Sequence, residues 1–388
     1  MKSILKKAVA AVMALTMVFS LAACSKNNYT ANNTAYVIGF SGPLTGPAAV
    51  YGVAVQNASQ MAVDEINAAG GLNGVMFKLL ATDDTLDATK VAANYASMLE
   101  GGMQVSLGAV TTAPGLEFTN LSAEDNVFFI TPSASGDKIP ANDNGFQMCF
   151  ADGNQGKVAA DYVNSTGLKK IGIFYKSDDA YSNGIYKQFK ESLDSSIETV
   201  DAVFTDANTT DFSAQISALK DCEFIFMPIY YTPAAIFMTQ AKDTVAANAV
   251  YYGCDGFDGL AGQFEDFSII PQEVSMLSHF DSNATDGAAA DFIKKYTDKY
   301  GTDTLNQFGA SAYDCVYAIY YAMKEAVDAG EKIDVTISAS DLCDILKAKF
   351  AGDFTYSGVT GNNIRWKENG YVSKEAVKYT LKTANAAQ

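Results

Sequence analysis

The sequence predicts an α/β protein of two lobes, each a doubly wound and mostly parallel sheet. Three observations lead there. At 388 residues the chain is too long for one ordinary core and suits two α/β units with a leader. Short apolar runs alternate with amphipathic stretches along most of its length, which is the pattern of βαβ units. The first such unit, residues 36–74, carries a tight glycine–proline loop between its strand and its helix. Ligands of open α/β sheets bind at loops of this kind, beyond the carboxyl ends of the strands.

Residues 1–24 come first and read as a targeting segment. Lys2, Lys6 and Lys7 form a charged start, and residues 8–23 are an apolar run shorter than a spanning helix. The run ends in Leu21-Ala22-Ala23-Cys24, which resembles the lipobox of bacterial lipoproteins. That resemblance implies cleavage before Cys24 and a diacylglycerol on its thiol; an ordinary secretory signal that happens to contain Cys24 is the alternative. The polar run SKNNYTANNT, residues 25–34, suits a flexible tether. A lipid anchor would hold the domain outside the cytoplasm, on the cell membrane and without crossing it.

The opening unit then begins with YVIGFSGPLTGPAAVYG. Its first five residues form a buried strand, whereas Ser41, Gly42, Pro43, Gly46 and Pro47 can neither prolong a strand nor sit inside a helix. Ala54, Ala58, Met61, Ala62 and Ile66 fall at helical spacing, with Asp64 and Glu65 turned outward, and Gly70 and Gly71 stop that helix. Strand 75–81, helix 88–100 and strand 104–109 continue the alternation. A helix to about Asp125 and strand 127–131 complete the first lobe's sheet. Thr112 lies where a strand ends and a helix begins, so its hydroxyl and the nearby N–H groups can meet an anion at the positive end of the helix. Ser135 sits likewise after the next strand. Either residue could instead be a plain N-cap.

The second lobe repeats the build. A helix over about 153–165 leads into strand 171–175, and strands 198–204, 223–228, 250–253 and 273–277 follow, with helices between them. Tyr181, Tyr230, Tyr231 and Asp255 all stand at strand ends. A buried carboxylate without a partner is costly, so Asp255 in a dry cleft implies a cation to meet it. A solvated loop aspartate or an N-cap from Gly256 is the alternative. Phe257 suits either an apolar wall or the core.

GPLTGPAAVYG followed by DEINAAGGLNG resembles the opening of the leucine/isoleucine/valine-binding family of solute-binding proteins, the receptors of ABC importers. The likeness runs from about residue 35 to about residue 380 and includes a closing hairpin, GVTG with the Asn369-Gly370 turn. It implies the periplasmic-binding-protein type I fold, two Rossmann-like lobes joined by a hinge of three crossings. Residues 35–152 and 280–358 would form lobe 1, and 153–279 and 359–388 lobe 2. It also implies roles. The ligand's α-carboxylate falls to Thr112 and Ser135, with Thr111 a close competitor one residue away. Its ammonium falls to the carbonyl of Ser133 and to Asp255, an aspartate where leucine-binding members have the longer glutamate. Leu44 and Tyr51 belong to the opening loop, and Tyr51 would border the ligand side chain with Tyr181, Tyr230 and Tyr231. The implied function is to capture an apolar amino acid, branched-chain or aromatic, and deliver it to a membrane permease. The alternatives are a non-amino-acid ligand in the same fold (an aromatic carboxylate, an amide or urea-like compound, a short peptide) or a sensor role.

Scarcities in the composition bound the rest. The net charge of −17, roughly −20 without the leader lysines, repels nucleic acid and anionic lipid. His279 is the lone histidine and Arg365 the lone arginine. A multi-histidine zinc site is therefore impossible, and any serine or cysteine triad would have to centre on His279. A ligand carboxylate would be held by hydroxyls and backbone N–H groups in place of an arginine fork. Six cysteines show no CxxC or metal spacing. With no GxGxxG after the first strand and no GxxxxGK[ST], a dinucleotide enzyme is disfavoured. No enzymatic activity, metal or cofactor is expected, and the expected state is a monomer.

Overall fold

The computed structural model describes residues 33–384; the leader, Cys24 and tether residues 25–32 lie outside the described residues. The first sheet has five parallel strands: β1 (Tyr36–Gly42), β2 (Phe77–Asp83), β3 (Val105–Ala109), β4 (Phe129–Thr131) and β5 (Gly145–Gln147). Their order is β2-β1-β3-β4-β5. β1 is buried along its whole length, as a strand covered on both faces must be. Helices α1 (Ala49–Ala68), α2 (Val91–Glu100) and α3 (Thr112–Glu124) return the chain between strands. The glycine–proline loop folds back on α1 so closely that a Cβ at Gly52 would meet the Pro43 carbonyl oxygen at 2.2 Å.

After β5 the chain crosses to the second lobe and enters α4 (Asp152–Thr166). There follow β6 (Lys170–Lys176), α5 (Ala180–Ser192), β7 (Glu198–Phe204), α6 (Ser213–Leu219), β8 (Phe224–Met227), α7 (Tyr231–Ala241), β9 (Val250–Gly253) and β10 (Glu273–Ser278). At Ser278 the chain returns to the first lobe for α8 (Gly287–Tyr300), α9 (Gln307–Asp328) and α10 (Ala339–Ala351). α9 lies along α1, and its buried face includes Phe308, Ala312, Val316 and Ile319. The hairpin β11 (Tyr356–Gly358) and β12 (Gly361–Ile364) precedes the last strand, β13 (Val377–Lys382). β13 runs antiparallel to β10 and closes the second sheet, in the order β13-β10-β9-β8-β6-β7.

One segment departs from the sequence expectation. Residues 359–372 were expected on the second lobe, but the hairpin and the turn after it lie against the first. The cause is Trp366: its ring packs on Phe350 and Phe354 at 4.6 and 6.1 Å, and its Nε1 donates to the Gln147 carbonyl at 2.8 Å. Gln147 N–H in turn donates to the Gly370 carbonyl at 3.0 Å. The last crossing therefore falls near residues 373–376, where Ala376 N–H reaches Asn154 Oδ1 at 3.4 Å.

Where the crossings meet, the core is polar. Asp314 of α9 accepts from Tyr356 Oη (2.9 Å) and from the N–H groups of Val359 (2.8 Å) and Thr360 (2.7 Å). Lys374, half-buried, bonds to the Thr360 hydroxyl. His279 Nε2 lies 2.6 Å from Ser311 Oγ, its ring edge-on to Phe150, and burial keeps its pKa well below the ordinary imidazole value. The lone histidine is thus a neutral structural group at the hinge. The five cysteines within the described residues are free and buried. Among the described residues no helix is long and apolar enough to cross a membrane.

Candidate ligand-binding cleft

The carboxyl ends of both sheets face one narrow cavity. Tyr51, Val110, Thr111, Thr112, Ser133, Ser135 and Phe308 line it from the first lobe, and Tyr181, Tyr230, Asp255 and Gly256 from the second.

The first lobe presents hydroxyls on a fixed frame. Thr111 is extended (φ −116°, ψ 156°) just ahead of α3, and its side chain makes no capping bond. Its Oγ1 is buried, lines the cavity and has no hydrogen-bond partner among the described residues. A plain N-cap would have used that oxygen; a buried hydroxyl left unbonded beside a cavity is one that a ligand can satisfy. The loop after β4 is pinned from below. Thr131 Oγ1 donates to the Ala109 carbonyl at 2.9 Å and accepts from Ala134 N–H at 2.9 Å. Gln147 Nε2 donates to the Ala134 and Gly136 carbonyls at 3.1 and 3.2 Å. Ser133 and Ser135 therefore reach the cavity from a rigid turn.

The second lobe presents an acid among phenols. Asp255 is 2% exposed and opens a short turn after β9. Its Oδ1 accepts from Tyr181 Oη at 2.7 Å, and its N–H donates to Gln155 Oε1 at 2.9 Å. Burial pushes its carboxyl up to about 6, against the opposing pull of hydrogen bonds from Tyr181, Gln155 and Gly256. Tyr181 stacks on Tyr230 (4.7 Å between centroids, 9° between planes), and Tyr51 meets Phe308 edge-on at 4.8 Å. Gly256 has no Cβ for a reason: one would meet Tyr181 Oη at 2.7 Å and the Ile229 carbonyl at 2.8 Å.

The lobes touch across this cavity. Tyr51 Oη donates to the Gly256 carbonyl at 2.6 Å, Gln307 N–H to Asp258 Oδ2 at 2.9 Å, and Thr232 Oγ1 to the Pro47 carbonyl at 2.8 Å. The arrangement is a closed one.

Eight sequence-derived candidates share the cavity: Tyr51, Thr111, Thr112, Ser133, Ser135, Tyr181, Tyr230 and Asp255. Three stand apart from its lining. Leu44 is tied through its N–H to Asp83 Oδ1 at 2.9 Å and anchors the opening loop. Tyr231 backs Tyr51, ring to ring at 5.1 Å, while its hydroxyl accepts from Val50 N–H at 3.5 Å. Phe257 is turned into the core beneath Gly253, where a Cβ would meet its ring at 2.2 Å. Val110, Gly256 and Phe308 line the cavity without having been singled out. Phe308 had a legible signal, because Asn306 caps α9 by accepting from Phe308 and Gly309 N–H groups, and a helix start at a cleft places its first-turn side chains there.

A family model described as "Periplasmic binding protein" matches residues 35–384. The Leu/Ile/Val-binding protein BraC3 of Rhizobium johnstonii is 28% identical over 333 residues, covering 84% of this chain and 88% of that protein. Among solved structures, the branched-chain amino acid transporter substrate binding protein LivJ of Streptococcus pneumoniae, in complex with isoleucine, is 28% identical with a TM-score of 0.74. The match covers 89% of this chain and all of that one, 100%. A solute binding protein of an ABC transporter from R. palustris, in complex with benzoate, shares the fold at a TM-score of 0.77 and 17% identity, over 91% and 95% of the two chains. On its architecture and on the match from residue 35 to residue 384, the chain belongs to the periplasmic binding protein family.

Proposed function

We propose that the protein is an extracytoplasmic receptor that closes its two lobes on a single apolar amino acid and hands it to an ABC importer. The observation that carries this reading is the opposition across one cavity of first-lobe hydroxyls and a buried second-lobe carboxylate. A zwitterion satisfies both walls: its carboxylate takes hydrogen bonds from Thr111, Thr112 and Ser135 and from the first-turn N–H groups of α3, and its ammonium meets Asp255 and the Ser133 carbonyl. Tyr51, Tyr181, Tyr230 and Phe308 would enclose an apolar side chain. Contacts drawn from both lobes bind the closed state better than the open one, and that difference drives closure. The Rhizobium johnstonii and Streptococcus pneumoniae relatives support a branched-chain ligand. Cys24 as a lipid anchor and residues 25–34 as its tether complete the proposal, with the permease as membrane partner.

A carboxylate-only ligand such as benzoate would face Asp255 with like charge, so the shared fold of the benzoate-binding protein does not favour it. A thermal-shift screen of the twenty amino acids with small acids and amides, on protein lacking residues 1–24, tests the proposal. Leucine, isoleucine, valine or phenylalanine should raise the melting temperature, since a ligand of the folded state alone stabilises it. A rise with benzoate or an amide and with no amino acid would overturn it.

A further inference from the structure

A second carboxylate stands behind the hydroxyl wall. Asp152, the first residue of α4, is 1% exposed. Its Oδ2 lies 3.3 Å from Thr112 Oγ1, its Oδ1 lies 3.5 Å from Gln155 Nε2, and its N–H donates to the Ser135 carbonyl at 2.7 Å. Gln155 in turn accepts from Asp255 N–H, so the first turn of α4 touches both ends of the clamp.

The electrostatics around Asp152 are one-sided. Asp137 and Cys149 face it from the segment ahead of α4, Tyr181 from α5, and Asp179 and Tyr230 from the capping positions ahead of α5 and α7. Cys254 and Asp255 face it from the turn after β9, and Tyr371 from the loop beyond the last hairpin. None is a cation, and among the described residues neither Asp152 nor Asp255 has an ion pair; the half-buried Lys374 is engaged with Thr360 beside Asp314. A zwitterion brings one positive charge, which Asp255 uses, and a negative charge that arrives opposite Thr112. The Thr112 hydroxyl has a single proton. It cannot donate to an ionised Asp152 and to the ligand's carboxylate together.

We propose that in the complex Asp152 is a neutral carboxylic acid that donates to Thr112 Oγ1, freeing the Thr112 proton for the ligand's carboxylate, so that capture takes up a proton. No bond to carbon changes; the proton comes from solvent as the cleft closes. The inference rests on the amino-acid reading above. Burial and the neighbouring Asp255 push the Asp152 carboxyl well above the ordinary aspartate range, and an anion arriving beyond Thr112 raises it further. A hydrogen bond from the Ser135 side chain and the N-terminus of α4 pull the other way, but burial beside Asp255 outweighs both. Asp255 has the opposite linkage, because the ligand's ammonium lowers its carboxyl from about 6. Binding should therefore release a proton on the acid side and take one up on the alkaline side.

Titration calorimetry with the amino acid that most raises the melting temperature tests this, run in buffers of different ionisation enthalpy between about pH 5 and 9. The native protein should take up as much as one proton above neutrality, with affinity falling as steeply as about tenfold per pH unit there. Asp152→Asn, whose amide donates without titrating, should keep affinity within about threefold at neutral pH and lose the alkaline uptake. Uptake absent from the native protein, or retained in Asp152→Asn, would overturn the inference while leaving the ligand reading intact. Should Asp152→Asn fail to fold, the native buffer series decides alone. Binding of no amino acid at all would overturn both.

Discussion

The two walls of the cleft solve opposite problems with different materials. The first-lobe wall is neutral: hydroxyls of Thr111, Thr112 and Ser135 on a turn braced by Thr131 and Gln147, at the start of α3. Hydroxyls of that kind meet an anion without themselves titrating. The second-lobe wall holds Asp255 under a phenol, and Asp152 hangs from the same lobe at the start of α4. The pH response of the site thus belongs to one lobe, and charge selectivity is set there too.

The largest expected effect comes from removing the acid. Asp255→Asn should weaken amino-acid binding by about 2–4 kcal/mol, the scale of breaking a buried charged pair, as read by calorimetry. The free protein should respond in the opposite sense. Because burial raises the Asp255 carboxyl to about 6 from its ordinary value near 3.8, the folded state holds its proton more tightly than the unfolded chain does. The destabilisation from ionising it is absent below about pH 4 and fully present above about pH 6. The melting temperature of Asp255→Asn should therefore exceed that of the native protein increasingly as pH rises through this window. A variant that binds as tightly as the native protein would show that the ammonium is met elsewhere.

Tyr181→Phe comes next. It deletes the hydroxyl that donates to Asp255 and accepts from Gly256 N–H at 2.9 Å. Binding should weaken by about 1–2 kcal/mol. Without that donor the Asp255 carboxyl moves further up, so the acid flank of the binding profile should shift to higher pH. An unshifted flank would mean that the Tyr181 hydroxyl does not tune the acid.

Much of the fold was legible because its signals are local. Buried strands read as apolar runs, helices as spaced apolar residues, and the opening loop as glycine and proline. Most candidate residues were legible for a related reason: strand ends of an open sheet converge, and Thr112, Ser135, Tyr230 and Asp255 all follow strands. What periodicity left open was decided by packing. Phe257 sits two residues from Asp255, yet the short turn rotates its ring under Gly253. Phe308 reaches the cleft from a helix whose periodicity marks it as core. The hairpin lies on the first lobe because Trp366 finds Phe350 and Phe354, a tertiary contact no periodicity encodes. Nothing in the sequence marks Asp152, and only its distance from Thr112 singles it out.

The smallest effects separate the ligand's own contacts from the closure of the lobes. Thr111→Val removes the unbonded hydroxyl that faces the cavity and should weaken binding by about 1 kcal/mol, with the loss confined to ligands that carry a carboxylate. Thr232→Ala removes a hydroxyl that lies outside the cavity lining and bridges the exposed rim to the Pro47 carbonyl at 2.8 Å. Its expected effect is about 0.5 kcal/mol, the low end for a hydrogen bond in contact with water. Because the bond favours the closed arrangement whatever is inside, the loss should be the same factor for every ligand and should fall on the dissociation rate. Stopped-flow dissociation of two amino acids of different size distinguishes the cases: equal acceleration marks a rim contact acting on closure, and unequal acceleration would place Thr232 among the groups that sense the ligand.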